Sequence, residues 1–349
     1  MEVRSDALVI GTQLKGHTYS YRIEKVLGQG SFGITYLTTT HIKTKTIIKG
    51  TLGDVETDVE QDVRVAIKEF FMEEANSRSY DGSTVEGTSG ELTDKYRKKF
   101  RKEAENLSHL KHSNIVKVLE VFDANNTTYY AMQYIDGQNL DDYIKSKGYL
   151  EEKEAIRIIR RVCKALQYMH EQKMLHLDLK PKNIMLDVNK KPYLIDFGLS
   201  KQYTKNGKPE SSTSVGLGTP GYAPIEQADY KQNGSFPATL DIYALGATMY
   251  KMVVGQAPPI ASDVLAYGLS MPDRISSDIQ SFIINSMKPI RTERIQTASE
   301  FLVRLPNTNP HSDDTVVDKE KESSSSWGWL ASPPFLYFIY KMIMAYLNS

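Results

Sequence analysis

His176-Leu177-Asp178-Leu179-Lys180-Pro181-Lys182-Asn183 is the stretch from which the rest of the chain can be read. It sets an acid able to accept a hydroxyl proton (Asp178), a cation two residues on (Lys180) and a metal-capable amide (Asn183) within six positions. Thirteen residues past Asn183 comes Asp196-Phe197-Gly198, a second acid at the end of the apolar run Tyr193-Leu194-Ile195. A proton acceptor, a cation and two oxygen donors for a hard metal ion suit phosphoryl transfer, in which a protein works mainly by positioning and charge stabilisation. Taken singly, each residue has a duller reading: aspartates near loops cap or turn, and lysines are usually solvated.

Upstream, polar and apolar residues alternate from Tyr19 to Leu27, which predicts a strand, and Ile34-Thr35-Tyr36-Leu37 predicts another. Between them lies Gly28-Gln29-Gly30-Ser31-Phe32-Gly33. Glycines without Cβ let backbone amides approach phosphate oxygens, although they also make ordinary turns. Residues 41 to 62 are polar and threonine-rich, and Val63 to Phe70 reads as a strand with Lys68 near its end. Residues 72 to 94, rich in Gly, Ser, Thr and Glu, read as an exposed insertion, and both polar stretches flank the lysine strand. From Lys95 to Leu110, Tyr96, Phe100, Ala104, Leu107 and Leu110 recur at three- and four-residue steps and predict a helix. It carries Glu103 and Glu105, which lie about 200° apart around the axis, so both cannot face Lys68.

Strands are predicted over Val116 to Phe122 and Thr128 to Tyr134, and a connector over Ile135-Asp136-Gly137-Gln138. Beyond it the pattern turns helical, with Leu140 to Lys145 and then an amphipathic helix from Glu151 to Glu171 that ends just before the opening stretch. The apolar run from Asp241 to Val254 is too short, and carries too much charge, to span a membrane, so a buried helix is expected. Cys163, the only cysteine, falls in an apolar helical pattern that predicts a buried, inert thiol and a reducing setting. Lys plus Arg (43) equals Asp plus Glu (43), which excludes the basic excess of a nucleic-acid binder. No signal peptide is read in the first residues.

In this order, GxGxFG, Val65-Ala66-Ile67-Lys68, a helical glutamate, HxDLKxxN, Asp196-Phe197-Gly198 and Gly218-Thr219-Pro220-Gly221-Tyr222 resemble the bacterial eukaryotic-like serine/threonine protein kinases, from about Leu14 to Leu305. The resemblance implies an α+β, bilobal protein-kinase fold. Its N-lobe (14–134) would be an antiparallel sheet plus C-helix and its C-lobe (138–305) mostly helical, after an N-terminal extension (1–13). It implies an enzyme that passes the γ-phosphate of ATP, with Mg²⁺ or Mn²⁺, to Ser/Thr hydroxyls of protein substrates in signalling. Asp178 and Lys180 would be catalytic, and Lys68 would contact the α- and β-phosphates, held by Glu103 when its helix swings in. ATP would meet Gly28, Gln29, Gly30, Ser31, Phe32, Gly33, Thr35, Ala66, Met132 as gatekeeper, the backbone of Gln133 and Ile135, and Leu186. Asn183 and Asp196 would hold the metal. Phe197, Gly198, Thr219 and Glu226 would belong to the activation segment, with Glu226 paired to Arg294, and Asp241 would support the catalytic loop. His176 and Phe197, with Leu107 and Val118, match a hydrophobic stack of the family.

Three places depart from the family pattern. Leu177 replaces the usual arginine, a non-RD type loop that puts phosphorylation-dependent switching in doubt; Thr35 stands where valine commonly covers the adenine; Pro224-Ile225 replaces Ala-Pro before Glu226. Rival readings are a catalytically dead nucleotide-binding scaffold, opposed by the presence of Lys68, Asp178, Asn183 and Asp196 together, and a small-molecule phosphotransferase, opposed by the full segment from Asp196 to Glu226. Residues 306–326 read as a disordered linker, and 327–349 as a hydrophobic tail whose aromatics and single Lys341 predict membrane association. The expected location is cytoplasmic, attached to the inner face of the membrane through that tail.

Overall fold

The computed structural model describes residues 6–30, 33–50, 53–87, 90–197, 201–202, 218–227 and 237–306, with backbone alone at 44–50, 53–59, 91–92 and 201–202. The chain divides into a unit of Met1–Pro306 and a second of Asn307–Ser349, and the latter, with the expected linker and tail, lies outside the described residues.

Strands β1 (Gln13–Lys15), β2 (Ser20–Gly30), β3 (Gly33–Gly50), β4 (Gly53–Phe70), β7 (Val118–Ala124) and β8 (Thr127–Gln133) form a six-stranded antiparallel sheet in the order β1-β2-β3-β4-β8-β7. Alternation puts Tyr21, Ile23, Ile34, Tyr36, Val65 and Ile67 in the interior. At Gly33 a side chain is excluded outright, because a Cβ there would stand 2.6 Å from the Glu69 carbonyl oxygen across β3 and β4.

The two insertions take definite form. Residues 41 to 62, read from sequence only as polar and threonine-rich, continue β3 and β4 as a paired ribbon from His41↔Asp62 to Gly50↔Gly53. The two arms stay in continuous register, and at their described end Lys43 forms an ion pair with Glu60 across the ribbon. The stretch 72 to 94 is only partly exposed. Strands β5 (Asn76–Arg78) and β6 (Val85–Gly87) make a hairpin that carries the Arg78 side chain into the protein, 5 % exposed, against a fully buried Glu69. Helix α1 (Glu91–Ser108) then begins four residues earlier than its apolar repeat suggested.

Below the sheet the chain is mainly helical. Strand β9 (Gly137–Asn139) ends at Asn139, whose side chain accepts from the Asp142 N–H at 2.9 Å and so starts α2 (Leu140–Lys147). Helix α3 (Glu152–Glu171) buries Ala155, Ile158, Ile159, Val162, Leu166 and Met169 at helical spacing. It packs on α4 (Thr239–Val254), which is buried along almost its whole length. Cys163 is fully buried and gives its thiol to the Ala298 carbonyl at 3.3 Å, and burial raises its pKa. Helices α5 (Ala261–Tyr267), α6 (Ser277–Ser286) and α7 (Ala298–Arg304) complete this half. Among the described residues no helix is long and apolar enough to cross a membrane.

Candidate active site

The loop at 176–183 sits between β10 (Met174–Leu175) and a turn of 3₁₀ helix (Pro181–Asn183) that leads into β11 (Ile184–Asp187), itself paired with β12 (Pro192–Leu194). Its conformation is strained at one point, since Leu177 has φ +64°, a region costly for a residue with a side chain. Three contacts hold it there. Asp241, buried at the start of α4, accepts from the N–H groups of His176 (2.9 Å) and Leu177 (2.8 Å), and Gln227 donates to the Leu177 carbonyl (2.9 Å). His170 Nε2, in the last turn of α3, lies 2.8 Å from the same Asp241 carboxylate. Burial alone would raise the Asp241 pKa, but His170 and His176 outweigh it and hold it low. Burial lowers the His176 pKa, and its ring packs 5.1 Å from that of Phe197. Leu107 and Val118 are buried in the same core as Phe197.

Around Asp178 the side chains close into a triangle. Lys180 donates to Asp178 (2.8 Å) and to the Thr219 hydroxyl (2.8 Å), and that hydroxyl donates to the other Asp178 oxygen at 2.7 Å. Asn183 donates through Nδ2 to the Asp178 carbonyl (2.8 Å) and, more weakly, to its carboxylate (3.3 Å). That orientation leaves the Asn183 Oδ1 as its ligating atom. Together with the half-exposed Asp196 carboxylate it suits a hard cation that takes its other ligands from water and substrate phosphate. Among the described residues no cluster of three or more His, Cys, Asp or Glu gathers for a metal.

Across the cleft, Lys68 on β4 reaches Asp196 at 3.0 Å. Burial opposes the Lys68 charge, but Asp196 outweighs it and the pKa is raised. Glu103 does not pair with Lys68 in this structure: among the described residues no Glu103–Lys68 contact falls within ion-pair distance. The buried ammonium takes the nearer acid, and burial pushes the Glu103 pKa up to about 7, which weakens its competing charge. Glu105 points away to solvent, 3.3 Å from Arg101.

The residues expected around a nucleotide line the same region. Gly28 and Gly30 lie on β2 opposite Thr35 and Gly33, with open space where a Cβ would stand, whereas Ser31 and Phe32 fall outside the described residues. Thr35 is opposite Lys68, and Ala66 is opposite Met132, both of the latter buried. Gln133 gives its N–H to the Lys117 carbonyl (2.8 Å), and Ile135 and Leu186 are buried nearby in sequence to the connector and on β11. Gly198 and most of the segment up to Leu217 lie outside the described residues. At the segment's far end Glu226 meets Arg294 at 2.8 Å, and the guanidinium is fully buried.

Sequence reasoning missed His170, Gln227 and Arg78. Each acts through one side chain on a partner 9 to 71 positions away, and no local pattern marks such a residue.

Comparison with known proteins identifies the family. A family model described as "Protein kinase domain" matches residues 42–317. The chain is 31% identical over 257 residues to serine/threonine-protein kinase PknB of Mycobacterium tuberculosis, covering 67% of this chain and 40% of that protein. It is 29% identical over 255 residues to PknB of Mycolicibacterium smegmatis (68% and 40%). It is 28% identical over 252 residues to a probable serine/threonine-protein kinase of Clostridium perfringens (68% and 35%). The chain thus spans about 40% of the length of the first of these relatives.

Proposed function

The chain belongs to the protein kinase domain family, and from that premise we propose that it transfers the γ-phosphate of ATP to serine or threonine hydroxyls of protein substrates. The observation that carries this reading is the Asp178–Lys180–Thr219 triangle, which ties a proton acceptor, a cation and the C-terminal part of the activation segment into one unit. Asp178 orients the acceptor hydroxyl and takes its proton late, while Lys180 sits where charge develops on the transferring phosphate. Lys68, once it leaves Asp196, grips the α- and β-phosphates, and the Gly28–Gly33 turn folds over them. A bound Mg²⁺, which Asn183 and Asp196 would hold, neutralises phosphate charge. The presence of Lys68, Asp178, Asn183 and Asp196 supports an active enzyme over a nucleotide-binding scaffold.

The non-RD loop belongs to the same proposal. Leu177 is 3 % exposed with both backbone polar groups held, so its side chain offers no clamp for a phosphate on the activation segment. We place the catalytic domain at 14–305, the linker at 306–326, and a membrane-associated tail at 327–349 on its aromatic, almost uncharged composition. Removing 327–349 should move the protein from the membrane fraction to the soluble one with kinase activity intact; a full-length chain that already fractionates as soluble refutes the tail assignment.

The test of the function is transfer from labelled ATP to a generic protein substrate by the native chain and by Asp178→Asn. The substitution should lower the rate by roughly 10² to 10⁴. Equal rates would refute the mechanism.

A further inference from the structure

Behind Lys68 the cleft wall carries a polar group that the roles assigned so far do not use. Tyr130 on β8 stands directly opposite Lys68 on β4, and cross-strand neighbours approach within about 5 Å at Cβ. Its ring packs on that of Phe100 in α1, centroids 5.2 Å apart. Phe100 precedes Glu103 by three residues, which puts both on one face of that helix. Tyr130 is therefore wedged between the strand that bears the lysine and the helix that bears the glutamate.

The residue is 2 % exposed, and its buried hydroxyl has no acceptor for its proton. Phenylalanine would fill the same space without that cost, so the hydroxyl calls for a partner that another arrangement supplies. Burial, first of all, raises the phenol pKa and keeps it a donor; Lys68, Asp196 and Glu103 all act on it electrostatically. Of these, Lys68 can only donate to the phenol oxygen, having no lone pair with which to accept its proton, and Asp196 is already engaged by Lys68. Glu103, which also faces Lys99 of its own helix, makes no hydrogen bond or ion pair among the described residues. A buried donor without an acceptor thus lies beside a carboxylate without a donor.

We propose that Tyr130 is a positioning residue for the Lys68–Glu103 pair: when α1 closes, its hydroxyl donates to the Glu103 carboxylate and turns it toward Lys68, which Asp196 then releases. The inference rests on the kinase reading of Lys68 and Glu103. No covalent step is involved, and Tyr130 touches neither nucleotide nor acceptor.

The experiment compares the full chain with Y130F, E103Q and Y130F/E103Q, reading kcat, KM for ATP, KM for a peptide substrate, and the unfolding curve. Y130F should unfold like the native chain, lower kcat by about tenfold, the worth of one hydrogen bond to a charged group, and leave the peptide KM unchanged. In the E103Q background the same change should have almost no further effect on kcat. Native kcat in Y130F, or an equal loss in both backgrounds, would overturn the proposal, the second outcome marking a packing role. Native kcat in E103Q would overturn the pair itself and the proposal with it, a failure distinct from that of Tyr130 alone.

Discussion

Arg78→Ala should destabilise the sheet far more than a change in a polar insertion would suggest. Glu69 is fully buried and takes four hydrogen bonds: from both Arg78 terminal nitrogens (2.8 and 2.7 Å), from the Tyr36 hydroxyl (2.7 Å) and from the Tyr129 hydroxyl (2.6 Å). Arg78 also donates to the Asp6 carbonyl at 2.9 Å and stacks on Phe71. Removing the guanidinium leaves a buried carboxylate without its counter-charge, and breaking such a pair costs about 3–5 kcal/mol. Two tyrosine hydroxyls stay on Glu69, which argues for the low end, about 3 kcal/mol. Hydrogen exchange read at β4, β5 and β8 isolates this loss from the helical half, which need not unfold in the same step. The protection free energy of those amides should fall by that amount, and Arg78→Met with Glu69→Gln, which removes both charges, should recover much of it. A change below about 1 kcal/mol in the single variant, or no recovery in the double, would show that Arg78 is only a surface contact and refute the argument.

Thr219→Ala deletes the hydroxyl that joins Asp178 to Lys180 and should lower kcat at least tenfold (about 1.4 kcal/mol), whereas Thr219→Ser should keep most of it; equal rates for the alanine and serine variants contradict the triangle. Stability should depend on pH through Glu103: its folded pKa of about 7 lies above the ordinary carboxyl value of 4.5, so the folded state binds more protons in between and its stability falls as pH rises through that window. Glu103→Gln should flatten that decline in denaturant titrations, and an unchanged slope assigns it to another group. Because Leu177 fills the place of the usual arginine, phosphatase-treated enzyme should retain most of its activity; a hundredfold loss in a labelled-ATP assay would mean that another cation has taken the role.

Much of the site was legible because its parts are local. Gly28 to Gly33, Val65 to Lys68, His176 to Asn183 and Asp196 each declare their chemistry within a few residues, and the helical repeat of α1 placed Glu103 on one face and Glu105 on the other. The extent of the β3–β4 ribbon was less legible, because the polar, threonine-rich composition of 41 to 62 shows no clear strand alternation until its two arms pair in register. What only the tertiary structure decided is which partner each charge takes. Lys68 meets Asp196, 128 positions away, and not Glu103; Thr219 closes on Asp178 across 41 positions; Arg78 turns inward to Glu69 although its neighbours are polar. The reason is physical: periodicity reports which face of an element is buried, but the partner of a buried charge is set by where distant strands, loops and helices bring opposite charges within a few ångströms in a low-dielectric interior, and there an unpaired charge costs several kilocalories per mole.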